Sequence, residues 1–360
     1  MTNDDELKRY IEYLQRQLIT PGTELIANNE HKWFSDNRER ILLQLQERRS
    51  KFPESENSFK QLESSMAVYE PDSLYDSFFA REIFSPLVNE ITQYMRENGM
   101  SLKSEVIFVN SPMTEPNAAS RASFTGHLLF AGRGVYSFCN YWAKLYVKIF
   151  AELNVNSLEL TNRSSRQDVE FVLERHPVGK LALALIVYYA LTGTLIGFGR
   201  VEEPEQNTPT RYALLRAMEA FIIGHELHHF VAEEEHPETN GISETATAKD
   251  LEIACDIFGL SMCTVYGHKN QNPFAFLCTG PQLLFWALKI CEDARSLIFG
   301  IKKDQGGTHP SHEERISLIR QFISEVSHID NREIFLETLD EADNVGLAIH
   351  SFVLNRIKNL

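Results

Sequence analysis

One uncharged segment in the middle of the chain constrains the fold more than any other feature. Residues 181–199, LALALIVYYALTGTLIGFG, contain no acidic or basic side chain and lie between Lys180 and Arg200. Such a segment must be surrounded by other apolar groups, either those of the protein interior or those of lipid. Its length just suffices to cross a thin bilayer. We favour a central helix that is buried on all sides, with a membrane span as the alternative.

The composition favours a globular protein. Hydrophobic residues make up 43% and charged residues 24% of the 360 residues, which is a normal balance for folded domains. With 35 basic and 50 acidic residues the net charge is −15, and this disfavours binding to nucleic acid or anionic membranes. The N-terminal segment MTNDDELKRYIEYLQRQL has a helical pattern and lacks the apolar core of a signal peptide. We therefore expect a cytoplasmic protein, with inner-membrane association through 181–199 as the alternative.

The cysteines point to the same compartment. The chain has five of them, an odd number, and no two form a CxxC pair. This usage is typical of buried thiols in a reducing environment rather than of a disulfide framework. The five are Cys139, Cys255, Cys263, Cys278 and Cys291.

Local sequence patterns predict a mostly helical α+β protein with a small sheet, divided into two regions. Residues 1–100 are expected to form an N-terminal helical region. Residues 101–360 are expected to form a second domain, with an apolar insertion at 154–207. Within the N-terminal region the stretch 50–65 is polar and loop-like, and Pro86 predicts a break or a helix start.

The second region begins with a change of pattern. Residues 104–112 are rich in β-formers and predict a strand, whereas 115–126 is loop-like. Residues 126–138 predict a second short strand that runs into a helix. From Thr208 onward nearly every segment has a helical pattern, with Thr208 as the N-cap and Pro209 at the first helical position. The small sheet therefore precedes a series of helices.

Three histidines and a glutamate follow an apolar run in FIIGHELHHFVAEEE, residues 221–235. On a helix, His225 and His229 lie one turn apart on the same face, which suits two ligands of a tetrahedral zinc ion. Glu226 points about 100° around the helix, so it reaches a metal-bound water more easily than the metal. This is the HExxH arrangement of two ligands and a general base.

His228 leaves two alternatives open. The pair His225 and His228 are also near neighbours on a helix, but this pairing would leave Glu226 without its usual role. Alternatively, all three histidines are solvated or capping residues, because a bare HExxH match occurs by chance in many long chains. The apolar run before the motif favours a ligand helix, since such a helix must be buried on one side to hold its geometry.

A third ligand is expected from AKDLEIACDIFGLSM, residues 248–262. Glu252 and Asp256 are four residues apart in an apolar pattern, and carboxylates in such a pattern need partners because unpaired buried charge is costly. A zinc ion for Glu252 and an imidazole N–H for Asp256 would satisfy both. The alternative is an amphipathic helix whose acids face solvent. Cys255 could ligate zinc in principle, but it lies off the face of these two acids, and we interpret it as a core thiol.

The order HExxH, then ExxxD, resembles the gluzincin metallopeptidases, and most closely the HtpX-like and CAAX-prenyl-protease-like peptidases. EPNAASRASFTGHLLFAGRGV, residues 115–135, is similar to the Pro-Asn-Ala segment of that family. THPSHEERISLI, which begins at Thr308, is similar to its late His-Pro segment. The four pieces also occur in the family's order, and together they cover about residues 104–326.

The resemblance implies a zincin-like metalloprotease core and a zinc-dependent endopeptidase. His225, His229 and Glu252 would be the zinc ligands and Glu226 the general base. Asp256 would accept a hydrogen bond from the ring N–H of a ligand histidine and so orient its imidazole.

The resemblance also implies residues around the substrate. Asn117 and Ala118 would lie in the loop beside an edge strand with which an extended peptide substrate pairs. His309 would lie near the zinc and stabilise the oxyanion. Arg315 would hold the His309 loop by an ion pair. The alternative for His309 and Arg315 is a helix-entry turn, with Pro310 as a start signal and Arg315 on the surface.

Some parts of the chain depart from the family. In familiar members the Pro-Asn-Ala strand and its helix lead almost directly to HExxH, whereas 154–207 intervenes here, and 1–100 has no counterpart. The chain has a weaker likeness, in architecture, to bacterial phage-exclusion peptidases. Two other hypotheses therefore accompany the endopeptidase: a triggered phage-defence protease, and a catalytically silent binding or sensor protein on a protease scaffold. The expected partner is a protein or peptide substrate.

Overall fold

A computed structural model describes most of the chain. The described residues are 3–19, 30–51, 56–123, 125–153, 165–239, 241–242, 246–301, 309–326 and 332–359. They form a mostly helical protein with a small three-stranded sheet, which confirms the predicted class. The strands are β1 (Val106–Ser111), β2 (Ala119–Ala122) and β3 (His127–Gly132).

Helices precede and follow the sheet. Those before it are α1 (Asn3–Gln17), α2 (Glu30–Lys51), α3 (Glu56–Val68) and α4 (Phe78–Glu97). Those after it are α5 (Arg133–Glu152), α6 (Arg166–Arg175), α7 (Pro177–Thr192), α8 (Thr208–Glu235), α9 (Ala248–Lys269), α10 (Pro273–Phe276), α11 (Thr279–Phe299), α12 (His312–Val326) and α13 (Arg332–Lys358). The sequence pattern predicts late helices near 247–266, 281–300, 311–327 and 331–357, and these agree with α9, α11, α12 and α13 to within a few residues.

The sheet has the strand order β1-β3-β2. β1 runs parallel to β3, with Val106 opposite His127, and β2 runs antiparallel to β3, with Ala119 opposite Phe130. The two predicted strands are confirmed, but the prediction of a loop across 115–126 is wrong because it contains β2. The four residues of β2 are small or polar, so they carry little strand propensity. Pairing with the buried strand β3 makes them a strand.

Helix α8 lies at the centre of the molecule. It packs against α4, α5, α9 and α11, and it also contacts β2. The main core combines buried side chains of these helices with those of α7 and α13. The opposite face of the sheet is covered by α1, where Ile11 packs with Val109, Leu128 and Phe130. The described part of the N-terminal region therefore contributes directly to both faces of the sheet, through α1 and α4.

The apolar segment 181–199 is not one continuous helix. Helix α7 ends at Thr192, and Gly193 follows with φ 73°, a left-handed conformation that glycine adopts without strain. Ala182 and Leu185 are buried, but Leu191 is 58% exposed. The expectation of a helix buried on all sides is therefore wrong, because α7 packs through one side only. Within the residues that the structure describes, no helix combines the length and apolarity needed to cross a membrane.

Three local predictions are also wrong. Pro86 lies inside α4, on its exposed side. Phe84 and Leu87, close to it in sequence, are fully buried, and their packing stabilises the helix across the proline. Most of the stretch 50–65, predicted as a loop, belongs to α2 and α3, and residues 52–55 lie outside the described residues. Thr208 does not cap α8, because its hydroxyl donates a hydrogen bond to Glu203 instead.

Candidate metal centre

Helices α8 and α9 cross with their backbones in contact. A Cβ added to Gly224 would lie 3.1 Å from the Cα of Gly259. A Cβ added to Gly259 would lie 3.0 Å from the carbonyl oxygen of Phe221 and 3.1 Å from the backbone nitrogen of His225. The two glycines therefore permit an approach that other residues would prevent. The close crossing brings Glu252, seven residues before Gly259, next to the histidines of α8.

The three predicted ligands lie together at this crossing. His225 Nε2 is 3.5 Å from one oxygen of Glu252, and His229 Nε2 is 3.7 Å from the other. Two ligand atoms of a tetrahedral zinc ion are separated by about 3.4 Å, given metal–ligand distances of about 2.0–2.1 Å. The donor types suit a zinc ion, and these two separations are close to that value. The alternative pairing of His225 with His228 is not favoured by these contacts.

Asp256 forms a hydrogen bond with the imidazole of His225. Its Oδ1 is 2.9 Å from Nδ1 of His225, so the imidazole N–H donates to the carboxylate and Nε2 faces Glu252. Asp256 is 1% exposed. This contact sets the orientation and tautomer of the histidine, as carboxylates behind metal ligands commonly do.

These contacts determine which side chains of the site are protonated. Burial lowers the pKa of His225, but the bonds to Asp256 and Glu252 outweigh it and raise this pKa to about 9. Burial and the charge on His225 lower the pKa of His229 to about 4. Burial acts to raise the pKa of Glu252, but the contacts with His225 lower it to about 2. Without a metal, His225 therefore carries the proton that balances the two carboxylates.

These pKa values predict a pH-dependent metal affinity. Because the pKa of His225 is about 9, it is protonated at neutral pH, and a metal must displace this proton. We expect the apparent zinc affinity to rise at least about tenfold for each pH unit between pH 6 and 8. Competition with a chelator of known proton dependence measures it. A constant affinity over this range would contradict the assignment of His225.

Glu226 lies on the side of α8 that faces β2. Burial and the nearby charge of Glu252 raise the pKa of its carboxyl, while His225, the Ser120 hydroxyl and the charge of Arg121 act in the opposite direction. The net effect is a raised pKa. A carboxyl group with a raised pKa is a stronger base, and the pKa of a good general base lies near the working pH. Its interactions with His225 and with Ser120 and Arg121 of β2 place Glu226 between the histidine pair and the edge strand.

The late His-Pro segment also reaches this site. His309 Nε2 is 3.5 Å from an oxygen of Glu252, and the His309 side chain is 66% exposed. Arg315 lies 3.3 Å from Glu252 and 3.3 Å from Asp256, with its guanidinium over the ring of Phe285. Arg315 is therefore not a surface residue. Among the described residues its ion pairs are to the carboxylates of α9, and the predicted ion pair to the His309 loop concerns 302–308, which lie outside the described residues.

The start of α12 also has the features of an ordinary helix entry. The Ser311 hydroxyl accepts a hydrogen bond from the backbone N–H of Glu314, and the Glu314 carboxylate accepts one from the backbone N–H of Ser311. This reciprocal pair is a capping arrangement. The turn after His309 is also held by the backbone N–H of Arg315, which donates a hydrogen bond to the carbonyl oxygen of Ser311.

Asn117 and Ala118 directly precede β2. Asn117 is exposed, and Ala118 packs against the main core. The approach of this loop to α5 is close, because a Cβ at Gly134 would lie 2.1 Å from the carbonyl oxygen of Glu115. The loop is thus fixed at one end against a buried helix and leads into the edge strand.

Two residues acquire roles that the sequence did not assign. His228 stacks on Phe258, with ring centroids 4.8 Å apart, so it packs between α8 and α9. Cys255 is fully buried, yet its sulfur, one ring nitrogen of His225 and one ring nitrogen of His229 all lie within 4.8 Å of one another. Its position three residues after Glu252 could have indicated this, because residues three apart are neighbours on a helix.

A histidine of the sheet, His127, contacts the end of α8. His127, at the start of β3, stacks on Phe230 with ring centroids 4.4 Å apart, and its Nε2 is 2.7 Å from Glu234. The Glu234 carboxylate also accepts hydrogen bonds from the backbone N–H groups of Lys103 and Ser104. These contacts fix the end of α8 against the sheet, one turn beyond the ligand pair.

No protein-family model matches the chain, and comparisons with curated proteins and with solved structures found no similar protein. The chemistry of the site must therefore be argued from its residues.

Proposed function

We propose that this protein is a zinc-dependent endopeptidase with a zincin-like core. One observation carries the proposal: the two oxygens of Glu252 lie 3.5 Å and 3.7 Å from Nε2 of His225 and His229. Two neutral imidazoles and a carboxylate are the ligand set of several catalytic zinc sites, which keep a fourth position open. When bound, zinc would polarise the scissile carbonyl and lower the pKa of a water molecule at the site.

Each residue around this set has a specific task. Glu226 accepts the proton of the attacking water and later donates it to the leaving amine. Asp256 keeps His225 oriented through the 2.9 Å hydrogen bond. Arg315 holds Glu252 and Asp256 in place through its two ion pairs.

The substrate would bind as an extended peptide along β2. This strand is at the edge of the sheet, so its outer backbone groups are available to pair with another strand. Glu226 faces the same strand, so a peptide that pairs there passes the general base. Asn117 and Ala118 would contact it at the entry, and the exposed His309 would donate a hydrogen bond to the oxyanion.

One observation favours a second candidate, a binding or sensor protein without catalytic activity. Asp256, His225, Glu252 and Arg315 form a connected network of hydrogen bonds and ion pairs that compensates its own charges. Such a network pairs two acidic with two basic side chains without a metal. The two candidates differ in metal content and in proteolysis.

The decisive test of the activity is a search for cleaved proteins in cells that express the chain. Cells with the unchanged protein are compared with cells that carry Glu226→Gln, and new N-termini are identified by mass spectrometry. We expect new termini only with the unchanged protein, and their loss when zinc is chelated. The same termini in both cell populations would contradict the proposal and favour the binding protein.

A further inference from the structure

Cys255 differs from the other cysteines in its surroundings. It lies on α9 between Glu252 and Asp256, and its side chain has no exposure to solvent. Cys263, two turns later on the same helix, donates a hydrogen bond to the carbonyl oxygen of Ala217, 3.4 Å away, so its thiol has a structural partner. The sulfur of Cys255 instead lies among the groups of the candidate metal centre.

The geometry brings this sulfur within reach of a metal held by the histidines. It lies within 4.8 Å of one ring nitrogen of His225 and of one ring nitrogen of His229. In a tetrahedral zinc site with one sulfur, ligand sulfur and nitrogen atoms are about 3.5 Å apart. Each separation would therefore have to shorten by no more than about 1.3 Å.

We propose that Cys255 is a fourth protein ligand of the bound metal, which closes the site in the resting protein. This inference rests on the proposed function, because it concerns the same metal. When the site loads, the S–H bond breaks, the proton passes to solvent, and a sulfur lone pair forms the bond to the metal. With His225, His229 and Glu252 this makes four protein ligands, the number typical of structural zinc sites.

A closed site has a direct consequence for activity. Catalytic zinc sites need one position for water or substrate, and the sulfur occupies it. The peptidase is then latent until the metal–sulfur bond opens.

X-ray absorption at the zinc edge tests the proposal on the zinc-loaded full chain. We expect one sulfur at about 2.3 Å from zinc in the unchanged protein and in Cys263→Ala, the matched control. In Cys255→Ala we expect only nitrogen and oxygen neighbours, with the zinc content retained. Peptide hydrolysis is expected to be several-fold faster in Cys255→Ala than in the other two proteins.

The outcomes separate this inference from the proposed function. A nitrogen- and oxygen-only shell in the unchanged protein, with hydrolysis that still depends on Glu226, would overturn the role of Cys255 alone. Failure of the unchanged protein to bind zinc would overturn both. Should Cys255→Ala fail to fold, cobalt substitution of the unchanged protein decides the matter, because thiolate ligation produces a sulfur-to-cobalt charge-transfer band and its absence contradicts the inference.

Discussion

Replacement of Glu226 by glutamine is expected to reduce peptide hydrolysis about 10²–10⁴-fold, the usual contribution of a general acid–base group. Glutamine keeps the shape of the side chain but cannot accept the proton of the attacking water. Zinc binding should be unchanged, because Glu226 lies beside the ligand set rather than in it. The measurement is kcat/KM on a peptide substrate, together with the zinc content of the same preparation.

Glu235→Gln provides a matched control. Glu235 is the last residue of α8 and is exposed, so the same charge is removed from the same helix away from the site. We expect its hydrolysis rate to equal that of the unchanged protein. Equal rates for Glu226→Gln and the unchanged protein would contradict the assigned role of Glu226, and loss of zinc from Glu226→Gln would show that it supports the metal.

Replacement of Gly259 by valine is expected to disrupt the metal centre without changing any ligand. The new side chain would meet backbone atoms of Phe221 and His225 at about 3 Å, and backbone atoms cannot move aside as a flexible side chain can. Overpacking of this kind costs roughly 1–3 kcal/mol of folding free energy. Separation of α8 from α9 should also move Glu252 away from the histidines. We expect a zinc affinity lower by about 10–100-fold, as when support around a metal is lost.

Thermal denaturation and zinc titration of the same samples measure both effects. Gly199→Val is the control, because a Cβ at Gly199 meets no other atom within 4 Å in the described part of the chain. It should have the melting temperature and zinc affinity of the unchanged protein within error. A Gly259→Val protein with unchanged zinc affinity would show that the helix crossing does not position Glu252.

The placement of the two histidines on one helix face was predictable because it is a local property. Four-residue spacing on one helix places His225 beside His229, and the same spacing places Glu252 near Asp256, whatever the rest of the chain does. The relation between the two helices was not predictable in this way. It depends on Gly224 and on backbone contacts between segments that are distant in sequence, which no periodicity encodes.

The missed features share one physical cause, which is that tertiary context overrides local propensity. The strand β2 has four residues of weak propensity and exists because β3 pairs with it. Helix α7 ends at Thr192 because Gly193 adopts a left-handed conformation, although the apolar composition continues to residue 199. Cys255 was interpreted as a core thiol because its burial was predictable and its histidine neighbours, on another helix, were not.

The most direct test of the central claim is the zinc content of the purified full chain after equilibration with zinc and dialysis. The claim is that His225, His229 and Glu252 form a metal centre at the crossing of α8 and α9. We predict one zinc per chain in the unchanged protein and none in the double variant His225→Ala, His229→Ala. An unchanged protein without zinc, or a double variant that retains one zinc per chain, would contradict the claim.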